Sequence, residues 1–264
     1  MTGRMITISG VFAQGAVAGF SKRTGGVSEG AWTSLNVGLH VMDEAQCVIQ
    51  NRHAIATDLG QDLTRMTFAT QVHGANVAII AKDSIGAGAK EFRTAIENVD
   101  ALVTKERKVT LAIVAADCIA ALMYDPYAGV IGAFHAGWRG ATQGIATATL
   151  EAMVQQGANP LTTHLAIGPS IRRCCYEVDQ PVIAKVKQRY QQLGLALHQE
   201  VIFEHEQHAQ LDLATLVMDE LYVAGVPRHA MLDVSICTHC MPGFYSHRRD
   251  QGKTGRHGGF IALR

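Results

Sequence analysis

The chain has 264 residues, with 23 Lys and Arg residues against 23 Asp and Glu residues, so its formal charge at pH 7 is zero when histidine is neutral. This balance excludes the basic surface of a nucleic-acid-binding protein and favours a small-molecule partner. No secretory signal pattern opens the sequence, and no apolar run approaches the length of a membrane span. We therefore expect a cytoplasmic protein without nucleic-acid or membrane partners, whose six cysteines are reduced thiols or metal ligands.

The predicted elements alternate irregularly between helices and strands. A glycine-rich segment at residues 24–38 precedes a helix at residues 42–60, which carries Arg52. Short apolar strands follow at residues 66–72, 76–80, 109–116, 119–124 and 130–134. Helices are then predicted at residues 141–157, 180–194 and 213–225, separated by strands at residues 163–168 and 231–236. No repeat or linker divides the chain, so the pattern predicts a single α+β domain over residues 1–264, with a mixed sheet packed under helices.

The segment "IAALMYDPYAGVIGAF" (119–134) predicts a β-hairpin. Its turn is built on Asp125, Pro126 and Gly129, where proline sets φ and glycine supplies a left-handed position. If Asp125 faces Val130, the numbers of opposed residues sum to 255. This pairing predicts the positions of the polar residues at the other end of the hairpin.

His135 and Cys118 lie at that other end. With a sum of 255, His135 faces Ala120, and Cys118 is its diagonal neighbour on the same face, about 7–8 Å away between Cα atoms. A sum of 254 would place the two side chains on opposite faces. The convergence of thiol and imidazole therefore depends on an odd sum.

His73, in "TQVHGANV", ends another predicted strand at a glycine turn and is the best third member of this group. Two histidines and one cysteine suit a zinc ion, and three protein ligands leave the fourth position open, as in catalytic zinc sites. A nucleophilic Cys118–His135 pair is the alternative. Taken alone, Cys118 is more simply a small buried apolar residue.

Other polar residues near these strand ends have two interpretations each. Asp117 is predicted to accept hydrogen bonds in a turn. Trp138 and Arg139 offer a stacking face and an anion contact, or simply begin a helix with Arg139 in solvent. Arg249 and Arg256 lie in the basic, glycine-rich segment "YSHRRDQGKTGRHGGF", which either closes over a substrate or is a solvated loop.

The remaining cysteines carry a weaker signal. Cys237 and Cys240 form a Cys-x-x-Cys pair, but the following "MPGFY" contains proline and glycine, whereas a redox pair normally opens a helix. No second full set of four ligands at zinc spacing is visible, so reduced structural thiols are favoured over a structural zinc site. The adjacent Cys174 and Cys175 are interpreted as packing residues.

Several segments together resemble one known family. They are "FSKRTGGVSEGAWTSLNVGLHV…NR", "QVHGANV", "AADC", "HAGWRG", "IGPSI…CYEV" and "YSHRRDQGKTGR", in order over nearly the whole chain. They resemble the YfiH-like family, also labelled multicopper polyphenol oxidase or laccase-domain proteins. The resemblance implies a mixed β-sandwich flanked by helices, zinc bound by His73, Cys118 and His135, and a phosphate contact from Arg52. Arg172 departs from the family pattern, which has glycine there.

The resemblance also implies phosphorolysis of purine nucleosides, namely adenosine, inosine and methylthioadenosine, with adenosine deamination alongside. Purine nucleoside and phosphate are then the small-molecule partners. The nucleobase-deaminase signature H-x-E with P-C-x-x-C is absent. A multicopper oxidase needs about ten imidazoles, commonly in His-x-His pairs, and none of the 12 histidines forms such a pair. A copper-dependent polyphenol oxidase, a metal-free cysteine hydrolase and a non-enzymatic binding protein remain the alternatives.

Overall fold

A computed structural model describes residues 3–205 and 207–264, and these residues form three β-sheets and five α-helices. The strands are β1 (Met5–Ile8), β2 (Ala16–Ser21), β3 (Met66–Phe68), β4 (Val77–Ile79), β5 (Ala101–Thr104), β6 (Thr110–Ala115), β7 (Ile119–Asp125), β8 (Val130–Ala136), β9 (His164–Ile167), β10 (Glu177–Asp179), β11 (Ile202–His205), β12 (His208–Leu211), β13 (Met231–Asp233) and β14 (His257–Leu263). The helices are α1 (Ala45–Asp58), α2 (Trp138–Gln143), α3 (Ile145–Gln155), α4 (Gln180–Gln192) and α5 (Leu213–Val223).

Two mixed sheets pack face to face as a sandwich. One has the strand order β1-β2-β14-β6-β3 and the other β13-β9-β7-β8-β5-β4. Apolar side chains from both sheets meet between them, including Phe20, Leu111 and Ile261 from the first and Leu122 and Ile131 from the second. A third sheet, β10-β12-β11, is antiparallel and smaller.

Helices cover the outer faces of both large sheets. Ile55 of α1 packs with Val114 and Phe260 on the outside of the five-stranded sheet. Helices α2 to α5 cover the six-stranded sheet, for example through Leu150 and Leu216. The predicted α+β class, a mixed β-sandwich flanked by helices, is confirmed. No helix within residues 3–205 and 207–264 is long and apolar enough to cross a bilayer.

The pairing predicted for the central hairpin is confirmed. Strands β7 and β8 are antiparallel, with Asp125 opposite Val130 and Ala120 opposite His135. Gly129 has φ of +62°, and the Asp125 carboxylate accepts hydrogen bonds from the backbone of the turn. Cys118 immediately precedes β7, so it lies beside His135 at this end of the hairpin.

Two predicted elements differ from the structure. The helix expected at residues 141–157 begins earlier, at Trp138, and is divided by Gly144, whose φ of +90° breaks the helical geometry. The strand expected at residues 66–72 ends at Phe68. Gln71 and His73 have φ of +51° and +62°, so the chain leaves the sheet before it reaches the histidine.

Candidate metal centre and its cavity

Three chain segments bring His73, Cys118 and His135 together at one end of the sandwich. His73 lies in the loop after β3, Cys118 in the short turn that passes from β6 in one sheet to β7 in the other, and His135 near the end of β8. One potential ligand atom from each residue lies within 4.8 Å of the others. We call these three residues the His-Cys-His cluster.

The shape of this cluster suits one shared ion. The two imidazole rings have centroids 4.8 Å apart and stand nearly perpendicular, at 87°. Gly137 lies directly against the cluster, and a Cβ at this position would be 3.0 Å from His73 Cδ2 and 3.1 Å from Cys118 Sγ. The absence of a side chain at residue 137 therefore leaves room for the two ligands to approach each other.

Backbone strain is concentrated beside the cluster. Gln71, His73 and Asp117 have φ between +51° and +85°, in the left-handed region that non-glycine residues rarely adopt. Such conformations cost about 1–3 kcal/mol each and occur mainly at functional sites. Gln71 is held there by two hydrogen bonds between its side-chain amide and the backbone of Val114.

Asp100 organises the two histidines. One carboxylate oxygen lies 2.9 Å from His135 Nδ1 and also accepts from the backbone N–H of His73, while the other accepts from the N–H groups of Val72 and Gly74. Burial acts to raise the pKa of Asp100, but the hydrogen bonds from His135 and from the backbone lower it. The ionised carboxylate holds a proton on Nδ1, which leaves Nε2 of His135 as the coordinating atom.

The thiol of Cys118 is strongly acidified in the metal-free protein. Burial alone would raise its pKa, but the charge and hydrogen bond of His135, with smaller contributions from His73, lower it to about 6. Burial similarly opposes the charge on His135, and Cys118 together with Asp100 raises the pKa of His135 to about 9. The pair is therefore a half-buried thiolate and a buried imidazolium at neutral pH, ready to exchange protons for a metal ion.

The His-Cys-His cluster opens into a cavity of about 360 Å³, within the range of small-molecule sites. Beyond the cluster, its polar lining includes His40, Tyr176, His247, Arg248 and Arg256. Burial and the charge of Arg256 lower the pKa of His40 to about 4, so this imidazole is neutral at physiological pH.

Two arginines supply positive charge to the cavity wall. Arg256 Nη1 donates to the carbonyls of Thr254 and Gly255, and Arg248 donates to the carbonyl of Glu177. A guanidinium has five N–H donors, so these tethers orient the side chains without exhausting them. The Arg248 guanidinium also lies 5.6 Å from the centre of the Tyr176 ring.

Arg52 and Arg249 do not lie in this cavity, contrary to the predicted substrate contacts. Arg52 is 3% exposed and donates to the carbonyls of Val37, Gly88 and Ala89, while its guanidinium stacks on a phenyl ring. Arg249 donates to carbonyls of the loop at residues 238–244 and pairs with its neighbour in sequence, an aspartate. Both guanidinium groups stabilise loops beneath the site instead of contacting a ligand.

Trp138 and Arg139 begin α2 and line a different, more open depression, together with residues of α4 such as Lys185 and Gln188. The Arg139 guanidinium stacks on the Trp138 indole, 4.2 Å from its ring centre. The alternative interpretation, in which this segment starts a helix, therefore describes these two residues better than a contact inside the cavity.

Asp117 is a hydrogen-bond acceptor, as predicted, and its partners lie far away in sequence. Its carboxylate accepts from the Thr238 hydroxyl at 2.6 Å and from the Arg248 backbone N–H at 2.7 Å. These bonds hold two C-terminal loops against the turn that carries Cys118. Arg172 pairs with Asp212 and Asp233.

Four other cysteines form a second cluster, which corrects the expectation that no further set of four ligands exists. The sulfur atoms of Cys174, Cys175, Cys237 and Cys240 all lie within 4.8 Å of one another. All six cysteines of the chain are free thiols. We call this group the four-cysteine cluster. Within the described residues, it and the His-Cys-His cluster are the two groups arranged to share a metal ion.

Residues 17–264 match the family described as "Multi-copper polyphenol oxidoreductase laccase". The chain belongs to this family. A Bacillus subtilis protein named purine nucleoside phosphorylase YlmD is 38% identical over 250 residues, which are 94% of this chain and 88% of that protein. A protein named adenosine deaminase RL5, from an unknown prokaryotic organism, is 32% identical over 244 residues, which are 91% of each chain.

A solved structure supports the same assignment. The YfiH protein of Bacillus licheniformis, titled a hypothetical protein, aligns with a TM-score of 0.92 and 37% identity, covering 99% of this chain and 97% of that chain. The YfiH-like family identified from the sequence motifs is thus confirmed. The two relatives named above carry names of nucleoside-processing enzymes, although the description of the family names an oxidoreductase.

Proposed function

We propose that this member of the YfiH-like family is a zinc-dependent purine nucleoside phosphorylase, built as one catalytic domain over residues 1–264. The observation that carries the proposal is the His-Cys-His cluster at the base of a cavity whose wall includes two arginines. The names of the relatives support the class of reaction. In this reaction inorganic phosphate replaces the purine on the anomeric carbon of the nucleoside. The products are the free base and a pentose 1-phosphate.

The chemistry of the donor set supports zinc. Two imidazoles and one thiolate are ligands that zinc prefers, and three protein ligands leave a position for a reactant. Copper with the same three ligands usually has a weak axial contact from methionine, glutamine or a backbone oxygen. The cavity lining contains no methionine among the described residues, and Gln71 is engaged by the Val114 backbone.

A four-copper oxidase centre is disfavoured by the placement of the histidines. Such a centre needs about ten imidazoles in close pairs. In the part of the chain that the structure describes, His73 and His135 are the histidines that join a group of three or more potential ligands. The ligand set therefore suffices for one ion.

Residues of the chain would orient the metal ligands and bind the phosphate. When bound, zinc would supply a Lewis acid that polarises an electronegative atom of the substrate. Asp100 keeps His135 in the orientation and tautomer that metal binding requires. Arg248 and Arg256, which line the cavity, would bind the phosphate dianion.

The neutral His40 and the phenol of Tyr176 are the candidate hydrogen-bond partners for the purine. Both line the same cavity as the cluster. Burial raises the pKa of Tyr176, so its hydroxyl keeps its proton at neutral pH. Adenosine deamination is a second candidate activity, favoured by the relative named adenosine deaminase.

The experiment combines metal analysis with turnover. Purified protein is assayed with adenosine, inosine and methylthioadenosine, with and without phosphate, and both free base and ammonia are measured. The proposal predicts about one zinc in the His-Cys-His cluster and phosphate-dependent release of base, both lost in Cys118→Ala and retained in Cys47→Ala, whose thiol lies on α1.

Three results would reject the proposal. Bound copper with oxidation of phenols would support the polyphenol oxidase. Full turnover by metal-stripped protein would support the metal-free cysteine hydrolase. No turnover of any nucleoside would support a binding protein. Ammonia release that does not depend on phosphate would make deamination the principal activity.

A further inference from the structure

The four-cysteine cluster is assembled by two neighbouring strands that leave the same edge of a sheet. Strands β9 and β13 are parallel neighbours, so the loops that follow them start side by side. The pairing continues into those loops, where Ser170 bridges to Cys237 and accepts a hydrogen bond from the Thr238 N–H. Cys174 and Cys175 lie in the first loop and Cys237 and Cys240 in the second, so thiols distant in sequence meet.

The distances between the sulfur atoms match those of a tetrahedral thiolate site. With Zn–S bonds of about 2.3 Å, the sulfur atoms around one ion are about 3.8 Å apart. Cys240 Sγ lies 3.7 Å from Cys174 Sγ and 3.2 Å from Cys175 Sγ, and all four sulfur atoms lie within 4.8 Å. Binding an ion thus requires shifts of a few tenths of an ångström for the pair nearest to each other.

The surroundings hold the ligand loops in place. Cys237 is buried, and its backbone carbonyl accepts a hydrogen bond from the Met241 N–H. In the first loop the Cys175 N–H donates to the Arg172 carbonyl, so both loops turn back on themselves at the thiols. The Arg172 guanidinium is anchored to Asp212 and Asp233, which fixes the start of the first loop. Cys174 and Cys240 are exposed, so an ion can reach the cluster from solvent.

We propose that Cys174, Cys175, Cys237 and Cys240 form a second, structural site for zinc, separate from the His-Cys-His cluster. Four protein thiolates close the coordination of zinc and leave no position for a reactant, which is the pattern of a structural site. The proposal does not depend on the proposed phosphorylase activity.

The position of this site gives it a structural role at the cavity. Tyr176, which lines the cavity, directly follows Cys175. Thr238 directly follows Cys237, and its hydroxyl donates to Asp117, the neighbour of the metal-cluster residue Cys118. An ion that joins the two loops therefore holds Tyr176 in the cavity wall. It also holds Thr238 in place to bond Asp117, which fixes the turn that carries Cys118.

The test is the metal content of protein purified under reducing conditions, measured for wild type and for single variants. We expect two zinc equivalents per chain in wild type and in Cys47→Ser, and one in Cys240→Ser, in Cys174→Ser and in Cys118→Ser. Cys240 and Cys174 are exposed, so these variants are expected to fold. Cobalt exchanged into wild type should show the intense bands of a four-thiolate site, which should fall to the weaker bands of a one-thiolate site in Cys240→Ser and persist in Cys118→Ser.

Two results would overturn the proposal. In the first, wild type and Cys240→Ser bind the same amount of metal, and the cobalt spectrum does not change in the variant. In the second, the four sulfur atoms are joined in disulfides under the same reducing conditions, as seen by mass spectrometry. Failure of the phosphorylase proposal is recognised separately, because it concerns Cys118→Ser and nucleoside turnover.

Discussion

The two thiol clusters of this protein differ in how the fold assembles them. The His-Cys-His cluster is built from a loop, an inter-sheet turn and a strand, and it lines a cavity, whereas the four-cysteine cluster is built from two loops that follow parallel strands. The first has three protein ligands and room for a substrate, and the second has four ligands and no room. The comparison suggests a division of labour, in which one metal performs chemistry and the other stabilises the loops beside it.

The largest expected effect comes from replacing a residue of the His-Cys-His cluster. His135→Gln should lower phosphate-dependent base release by about 10³-fold or more, because both the metal and its charge stabilisation are lost. Cys240→Ser should lower it by only about tenfold, since it acts through the position of the wall. His164→Gln, on β9, serves as the control. Equal losses in the two variants would contradict the division of labour.

A smaller loss is expected from crowding the same cluster. In Gly137→Ala, the added methyl group would lie 3.0 Å from the His73 ring and 3.1 Å from the Cys118 sulfur. Zinc affinity, measured by competition with a chelator, should fall by about 10–100-fold, as when ligand positions are disturbed. Gly243→Ala is the matched control, because its added methyl group meets no atom within 4 Å. Unchanged affinity in Gly137→Ala would show that the cluster does not need this space.

The thiolate–imidazolium pair predicts how the metal-free protein responds to pH. The lowered pKa of Cys118 means that its stabilising contribution is lost as the pH falls through about 6. The raised pKa of His135 means that its contribution is lost as the pH rises through about 9. Stability from this pair is therefore greatest between these values.

Alkylation of stripped protein by iodoacetamide measures the first of these transitions. The rate at Cys118, followed by peptide mass spectrometry, should rise with a midpoint near pH 6. In Asp100→Asn the midpoint should move upward, because His135 loses the carboxylate that favours its charge. A midpoint near 9, the ordinary value of a thiol, would show that the pair does not form.

The smallest effect concerns the link between the two regions. Thr238→Val removes the hydroxyl that donates to the Asp117 carboxylate and leaves a buried acceptor without this partner. The free energy of unfolding, measured by urea denaturation, should fall by about 2 kcal/mol. Thr57→Val, at the exposed end of α1, should change it by less than about 0.5 kcal/mol. Equal changes in the free energy of unfolding in the two variants would show that the Thr238–Asp117 hydrogen bond does not stabilise the protein.

Sequence reasoning reached the His-Cys-His cluster because strand pairing is regular. Once Asp125 faces Val130, the register brings His135 to the start of β7, which Cys118 immediately precedes. The hairpin turn itself is signalled by proline and glycine. The β-sandwich was implied by the family resemblance, while the terminal strands β1 and β14 were not predicted from the pattern of apolar residues.

The rest of the site depends on loops and on burial, which local sequence patterns do not report. Asp100 reaches His135, and Tyr176 and Arg248 reach the cavity, from loops that no periodicity describes. Arg52 resembles a solvent-facing or phosphate-binding residue in sequence, but its helix packs against carbonyl groups that take its donors. The four-cysteine cluster depends on the parallel pairing of β9 and β13, which links residues more than 60 positions apart.

Anomalous diffraction from crystals of the purified protein, recorded on both sides of the zinc absorption edge, tests the zinc assignment most directly. We expect a zinc peak bound by His73, Cys118 and His135, facing the cavity that Arg248 and Arg256 line. Catalytically active crystals with no metal at this cluster, or with copper there, would contradict it.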